Sequence, residues 1–324
     1  MTHPTPDATA SRAELADQLR AAALDVLWRQ WRAVGGQTAI SGGARAIVDP
    51  EALVLLSLTL MDDEPRLADI LHDWTILNSD LLSVQRLKNL AAAYPESTKA
   101  PITWLARIAS EEAKDLRWRS LSANVRPRHG SASSEALVRT NKRRAIRVRL
   151  DEPATLALRL RLGFGVGAKA DVLVFLIGSA SGAATVREIA AETGYTVAAI
   201  RRAAEDMAAA RLLHSTTGQP VTFRADPQAW AGVLGLPDGL PPWRSWHQRF
   251  AFIAAYLSWA EATSAKPFTP YTFGVKGREL LERHKPAFER DHIMVWSEHS
   301  AVPDWGAFVF DAIGNLMRWM RATT

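Results

Sequence analysis

Cysteine is missing altogether from this 324-residue chain. Its absence excludes disulfide bonds, cysteine-ligated zinc and thiol catalysis, and suits a reducing cytoplasm, the expected location. Long apolar runs are missing too: none approaches the roughly 20 residues of a membrane-spanning helix, so no membrane association is expected. The opening MTHPTPDATASRAE lacks the charged-then-apolar order of a secretory signal. It reads as a disordered tail over residues 1–10, ending at a Ser11 helix cap with Glu14 as its capping-box partner. A large net charge is also lacking, the total being only +5.

That small excess is concentrated. Residues 126–167 hold ten Lys or Arg against three Asp or Glu. Within them, Arg139, Lys142, Arg143, Arg144, Arg147 and Arg149 follow one another with no intervening acid. Such a run releases counterions on meeting phosphates, which gives salt-sensitive affinity without sequence preference; most charge runs elsewhere are solvated linkers. The alternation from Ala145 to Leu150 predicts a strand burying Ile146, Val148 and Leu150 with its arginines outward. Just before it, RPRHGSASSEALV (126–138) has the small and turn-forming residues of a linker.

Several chemistries can be set aside. Gly163-Phe164-Gly165-Val166-Gly167-Ala168-Lys169 has neither the spacing of a P-loop nor that of a dinucleotide-binding turn. His284, Glu289, Asp291, His292, Glu298 and His299 form a loose cluster without the i, i+4 geometry of a helical zinc site. Asp62, Asp63 and Glu64 sit beside Pro65 at a helix boundary, where acids favour the positive end of the next helix. No serine has a nucleophile-elbow glycine pattern around it. No enzymatic activity, cofactor or metal is expected.

What is present is a pattern between Ala168 and Asp226. AKADVLVFLIGS places Val172, Leu173, Leu176 and Ile177 on one helical face. After a Gly/Ser turn, Thr185 opens TVREIAAETG as an N-cap, with Glu188 completing a capping box. Gly194 supplies the left-handed turn residue. Thr196 caps a third helix, whose Ile200, Ala203, Ala204 and Met207 face inward, leaving Val197, Ala198, Arg201, Arg202 and Glu205 outward. LLHST and PVTFRAD, joined at Thr217-Gly218-Gln219, form a two-stranded wing over 213–225.

This order resembles the winged helix-turn-helix of ArsR- and MarR-like transcriptional regulators. With its lead-in LRLRLGFGVG, it is also similar to winged-helix domains associated with minimal nucleotidyltransferases. There a leucine-Phe-Gly turn precedes the first helix; Leu162 and Phe164-Gly165 nearly reproduce it, with Gly163 inserted. The paired-aspartate signature of the nucleotidyltransferases themselves is absent after Gly178-Ser179, so their activity is not carried over. The resemblance spans about a fifth of the chain and implies a DNA-binding regulator, expected to bind double-stranded DNA as a homodimer. A recognition helix at 196–210 would offer Arg201 and Arg202 to the major groove, with Val197 and Ala198 beside them. Tyr195 and Thr196 would meet a phosphate at its positive end, and Arg187, Gln219 and Arg224 the backbone. Arg143, Arg144 and Arg147 would act as a basic arm. The alternative is an antitoxin-like accessory protein whose winged helix binds a protein partner such as a nucleotidyltransferase.

The expected organisation is mainly α. It runs from the tail (1–10) through an N-terminal helical domain (11–125), a basic linker (126–150) and the winged helix (151–230) to a C-terminal helical domain (231–324). In the first helical domain, Asp49-Pro50 marks the cap and first turn of a helix hydrophobic enough to be buried all round. Further helices are expected at 64–77, at 80–93 after a Ser79 cap, and at 101–118, then at 243–262, 271–284 and 304–321. The 12 tryptophans read as packing between helical layers, with a subunit interface second. A ligand cavity lined by Trp296, His299 and Trp305 is a third, weaker use.

Overall fold

Burial of apolar residues, on one face or on every face, organises the longer helices of the computed structural model, which describes residues 8–40, 42–123, 146–264, 269–294 and 305–323. The fold is mainly helical with one small three-stranded antiparallel sheet. Helix α1 (Ala8–Ala33) begins three residues earlier than Ser11, so that serine lies inside the helix and residues 8–10 belong to it rather than to a tail. Helix α2 (Pro50–Leu60) starts with Asp49, whose carboxylate accepts from the Ala52 amide at 3.2 Å, and with Pro50 in the first turn. Leu53, Val54, Leu55, Leu56 and Leu58 are all buried, as an all-round apolar helix requires.

Helix α3 (Arg66–Asn78) is followed by a 3-10 turn at Ser79–Leu81, and only then by α4 (Val84–Ala91). Ser83, not Ser79, caps α4, accepting from the Arg86 amide at 3.2 Å. The reason is Leu82: it is fully buried in extended backbone, which interrupts the helix expected to run on from Ser79. Helix α5 (Lys99–Arg107) runs into a π turn at Ile108–Glu112, and α6 (Arg119–Ser122) ends this part.

Residues 146–149 form no strand, yet the predicted alternation holds. Ile146, Val148 and Leu150 are half-buried against the helices, while Arg147 and Arg149 are exposed. The expected linker at 126–138, and Arg143 and Arg144, lie outside the described residues.

The central part runs through α7 (Leu156–Phe164), α8 (Ala168–Gly178), β1 (Ala183–Thr185), α9 (Val186–Thr193), α10 (Val197–Ala209), β2 (His214–Ser215), β3 (Thr222–Arg224) and α11 (Pro227–Leu234). Strand β3 lies between β1 and β2, antiparallel to both, so the sheet has one strand more than the expected two-stranded wing. Leu173, Leu176, Ile189, Ile200, Phe223 and Trp243 belong to the core of this part. The chain closes with α12 (Trp246–Ala262), α13 (Pro270–Arg283), α14 (Pro286–Glu289) and α15 (Trp305–Thr323).

These last helices do not make a core of their own, which corrects the separate helical domains expected at 11–125 and 231–324. Helix α12 packs on α1 and α2, and α15 on α1, so Leu19, Trp31, Leu55, Phe250, Ile253 and Leu316 share one cluster. An apolar helix such as α2 must be covered on every side, and its cover arrives from about 200 positions later in the chain. Tryptophans join these layers as expected: Trp31 meets Trp74 edge-on at 5.8 Å, and Trp246 meets Trp319 at 5.3 Å. Trp296 and His299 lie outside the described residues, so the aromatic cavity expected there is not described.

Candidate nucleic-acid interface

The elements of residues 168–226 are set by local hydrogen bonds. Thr185 accepts from the Glu188 amide at 3.3 Å, and the Glu188 carboxylate accepts from the Thr185 amide at 2.7 Å, a complete capping box. Gly194 ends α9 at φ +72°, in the left-handed region. Thr196 then accepts from the Ala199 amide at 3.2 Å and starts α10.

Helix α10 buries Ile200, Ala203, Ala204 and Met207, chiefly against α8 and α9. Its other face presents Thr196, Val197, Ala198, Arg201, Arg202 and Glu205 to solvent. Neither Arg201 nor Arg202 pairs with a carboxylate among the described residues, whereas Asp206 is taken by Lys169 at 2.8 Å. Two guanidiniums therefore stand beside small side chains on an open helical face, with donors free for a polyanion. Arg187 on α9 is exposed, as is Gln219 in the β2–β3 loop. Arg224 on β3 is exposed opposite Ala183 and His214, while its neighbour Phe223 is buried. Arg147 is exposed too, with its carbonyl packed against Gly35.

Tyr195 departs from this group. Its hydroxyl points inward and donates to Asp171 Oδ2 at 2.9 Å, so it is not placed to meet a phosphate. Burial and the Asp171 carboxylate both push its pKa well above the ordinary tyrosine value.

Asp171 belongs to a buried charge network that the sequence reading missed. Arg161 bridges Asp171 (2.8 and 2.9 Å) and Glu51 (2.6 and 2.9 Å) with paired bonds to each, and also donates to the Leu81 carbonyl at 2.9 Å. Arg86 grips both oxygens of Asp49 at 2.5 and 2.7 Å, reaches Glu51 at 2.6 Å, and donates to the Thr193 carbonyl at 2.5 Å. Burial pushes the Asp49 pKa up, but Arg86 outweighs it and holds that carboxyl at about 2. Both arginines are raised: burial opposes their charge, and the carboxylates more than restore it. His247, buried next to Asp49 at 3.8 Å, is lowered to about 4 by desolvation against the pull of that carboxylate, and stays neutral at neutral pH.

The network fastens the turn between α9 and α10 to the helical body. Besides Arg86 on Thr193, Asn89 donates to the Gly194 carbonyl at 3.1 Å, and His247 and Gln248 both meet the Ala191 carbonyl at 3.2 Å. Carbonyls that end a helix need donors, and here the donors come from α4 and α12. A signal was available: Glu51 and Asp171 each sit within apolar runs, where an acid needs a buried partner.

Comparison of the chain with protein-family models, curated proteins and solved structures finds no match. The reading therefore rests on geometry. Among the described residues no group of three His, Asp or Glu could hold a metal ion, and no helix is long and apolar enough to cross a membrane.

Proposed function

We propose that residues 168–226 are a winged helix-turn-helix that binds double-stranded DNA, and that the protein is a cytoplasmic transcriptional regulator acting as a homodimer. The observation that carries this is the outward face of α10, where Arg201 and Arg202 stand exposed without carboxylate partners among the described residues. Arg201 and Arg202 contact the major groove alongside Val197 and Ala198. Thr196, Arg187, Gln219 and Arg224 contact the backbone around it, and Arg143, Arg144 and Arg147 add phosphate contacts.

A mobility-shift series on a random duplex pool, with the retained fraction sequenced at several salt concentrations, tests the division of labour. Replacing Arg201 and Arg202 by Ala is expected to cost about 1–3 kcal/mol per lost paired contact on the selected sequence. Replacing Arg143 and Arg144 weakens all duplexes alike and reduces the salt slope by roughly one per lost phosphate contact. Equal losses on selected and random DNA in both variants overturn the scheme.

The second reading is an antitoxin-like accessory protein that binds a partner such as a nucleotidyltransferase. In its favour, the α9–α10 turn already engages protein, being docked on α4. A stoichiometric co-purifying partner with no shift of any duplex supports it.

A further inference from the structure

Away from the α10 face, a cavity of about 640 Å³ opens between the end of α8 and the start of α12. That volume falls within the range of about 300–1,000 Å³ typical of small-molecule sites. Leu240, Trp243 and Phe175 form its apolar wall, Phe175 and Trp243 meeting edge-on at 5.8 Å. Arg244, Arg290, three serines and the Asp291 carboxylate, itself tied to Arg244, supply its polar side, and the Arg290 guanidinium lies 5.5 Å from the Phe175 ring centre.

Three guanidiniums and three carboxylates surround it, but their hydrogen bonds do not balance. Arg244, Arg249 and Arg290 crowd together with two buried or half-buried carboxylates. Asp291 is shared by Arg244 at 3.3 Å and Arg249 at 2.8 Å, and Glu192 accepts from Arg290, Ser245 and Trp243. Glu188, also near Arg290, is exposed and committed to its capping box. Donors outnumber acceptors: Arg244 Nε and both Nε and Nη1 of Arg249 are buried with no hydrogen-bond partner among the described residues. Buried guanidinium N–H groups without acceptors are costly, and native proteins seldom leave them so. Burial, opposed by Asp291, lowers Arg249 to about 10, which leaves it charged at neutral pH, and lowers Arg290 as well. Of the three, Arg244 and Arg290 line the cavity, while Arg249 stacks on Trp319 at 4.0 Å and holds Asp291 from behind.

We infer that this cavity binds a small organic anion, its carboxylate or phosphate held by Arg244 and Arg290 and its apolar body laid against Leu240 and Trp243. The anion supplies the acceptor that Arg244 Nε lacks. An inorganic ion would accept from the arginines and leave the apolar wall uncovered, so an anion carrying a ring or chain binds more tightly.

Calorimetric titration of the full-length protein with inorganic phosphate, benzoate and phenyl phosphate, at constant ionic strength, tests this. Saturable binding of benzoate or phenyl phosphate, tighter than phosphate alone, is expected, and the stronger of the two identifies the head group. Arg244→Gln and Arg290→Gln each weaken it about tenfold or more. Ala180→Trp, at an exposed residue lining the cavity, abolishes it by filling space without touching an arginine. If Arg290→Gln fails to fold because Glu192 loses its partner, the other two variants still decide. The double variant Arg201→Gln, Arg202→Gln retains binding, which separates this site from the α10 face. No saturable binding of any probe at millimolar concentration, or binding that survives Arg244→Gln and Ala180→Trp, overturns the proposal.

Discussion

Arg86 Nε donates to the Thr193 carbonyl oxygen at 2.5 Å, joining positions 107 apart in the chain. One guanidinium thereby bonds Asp49 and Glu51 at the start of α2, sharing Glu51 with Arg161, and satisfies the end of α9. The α10 face is thus presented by a unit bolted to the helical body.

Removing Arg86 strands the buried Asp49 carboxylate, while Glu51 keeps its paired bonds from Arg161. Arg86→Leu is expected to destabilise the protein by about 3–5 kcal/mol in urea unfolding. Arg86→Lys restores little, since an ammonium cannot grip both Asp49 oxygens and the Thr193 carbonyl together. A loss below about 1 kcal/mol for Arg86→Leu contradicts the assigned role.

Acid should weaken the fold in two stages. His247 titrates near 6.5 when unfolded and at about 4 when folded, because burial disfavours its cation. A depressed folded value means the unfolded chain binds the proton first. This contribution is therefore whole above 6.5 and is lost as pH falls toward 4. His284, also lowered to about 4 by burial, acts in the same direction. Asp49, held at about 2 against 3.8 unfolded, adds a loss only below 3.8. Stability measured against pH is expected to fall between 6.5 and 4, less steeply in His247→Gln; an unchanged slope in that variant counts against the assignment.

Two glycines rank in a testable order. A Cβ at Gly35, φ +97°, would stand 2.2 Å from the Arg147 backbone oxygen. At Gly194, φ +72°, it would meet Leu90 Cδ2 at 2.4 Å, the far end of a side chain that can turn aside. Both alanine variants carry left-handed strain, and Gly35→Ala is expected to cost more, about 2 kcal/mol or beyond. Thermal unfolding of the pair checks the order.

Tyr195→Phe separates structure from contact. Losing the bond to Asp171 is expected to cost about 1–2 kcal/mol of stability. Duplex affinity at equal folded concentration should not change, because the hydroxyl faces inward. A selective loss of affinity at unchanged stability would place that hydroxyl outward instead.

Legibility followed range. The Thr185–Glu188 box, the Gly194 turn, the Thr196 cap and the Asp49-Pro50 start were all readable, because each bond closes within four residues. The exposed face of α10 was readable from its 3.6-residue period, and with it the outward placing of Arg201 and Arg202. Ser83 displaced Ser79 because Leu82 was needed in the core. Tyr195 turned inward because Asp171, 24 positions earlier, offers an acceptor there.

Composition, caps and periodicity alone settled that the chain is mainly helical and which arginines of α10 face outward, since those features depend on bonds and burial a few residues long. Tertiary structure decided that α12 and α15 complete the core begun by α1 and α2, and that Asp49, Glu51, Arg86, Arg161 and Asp171 meet. A buried charge cannot choose its partner until the chain has closed around it, and chain closure over a hundred residues leaves no local trace in the order of amino acids.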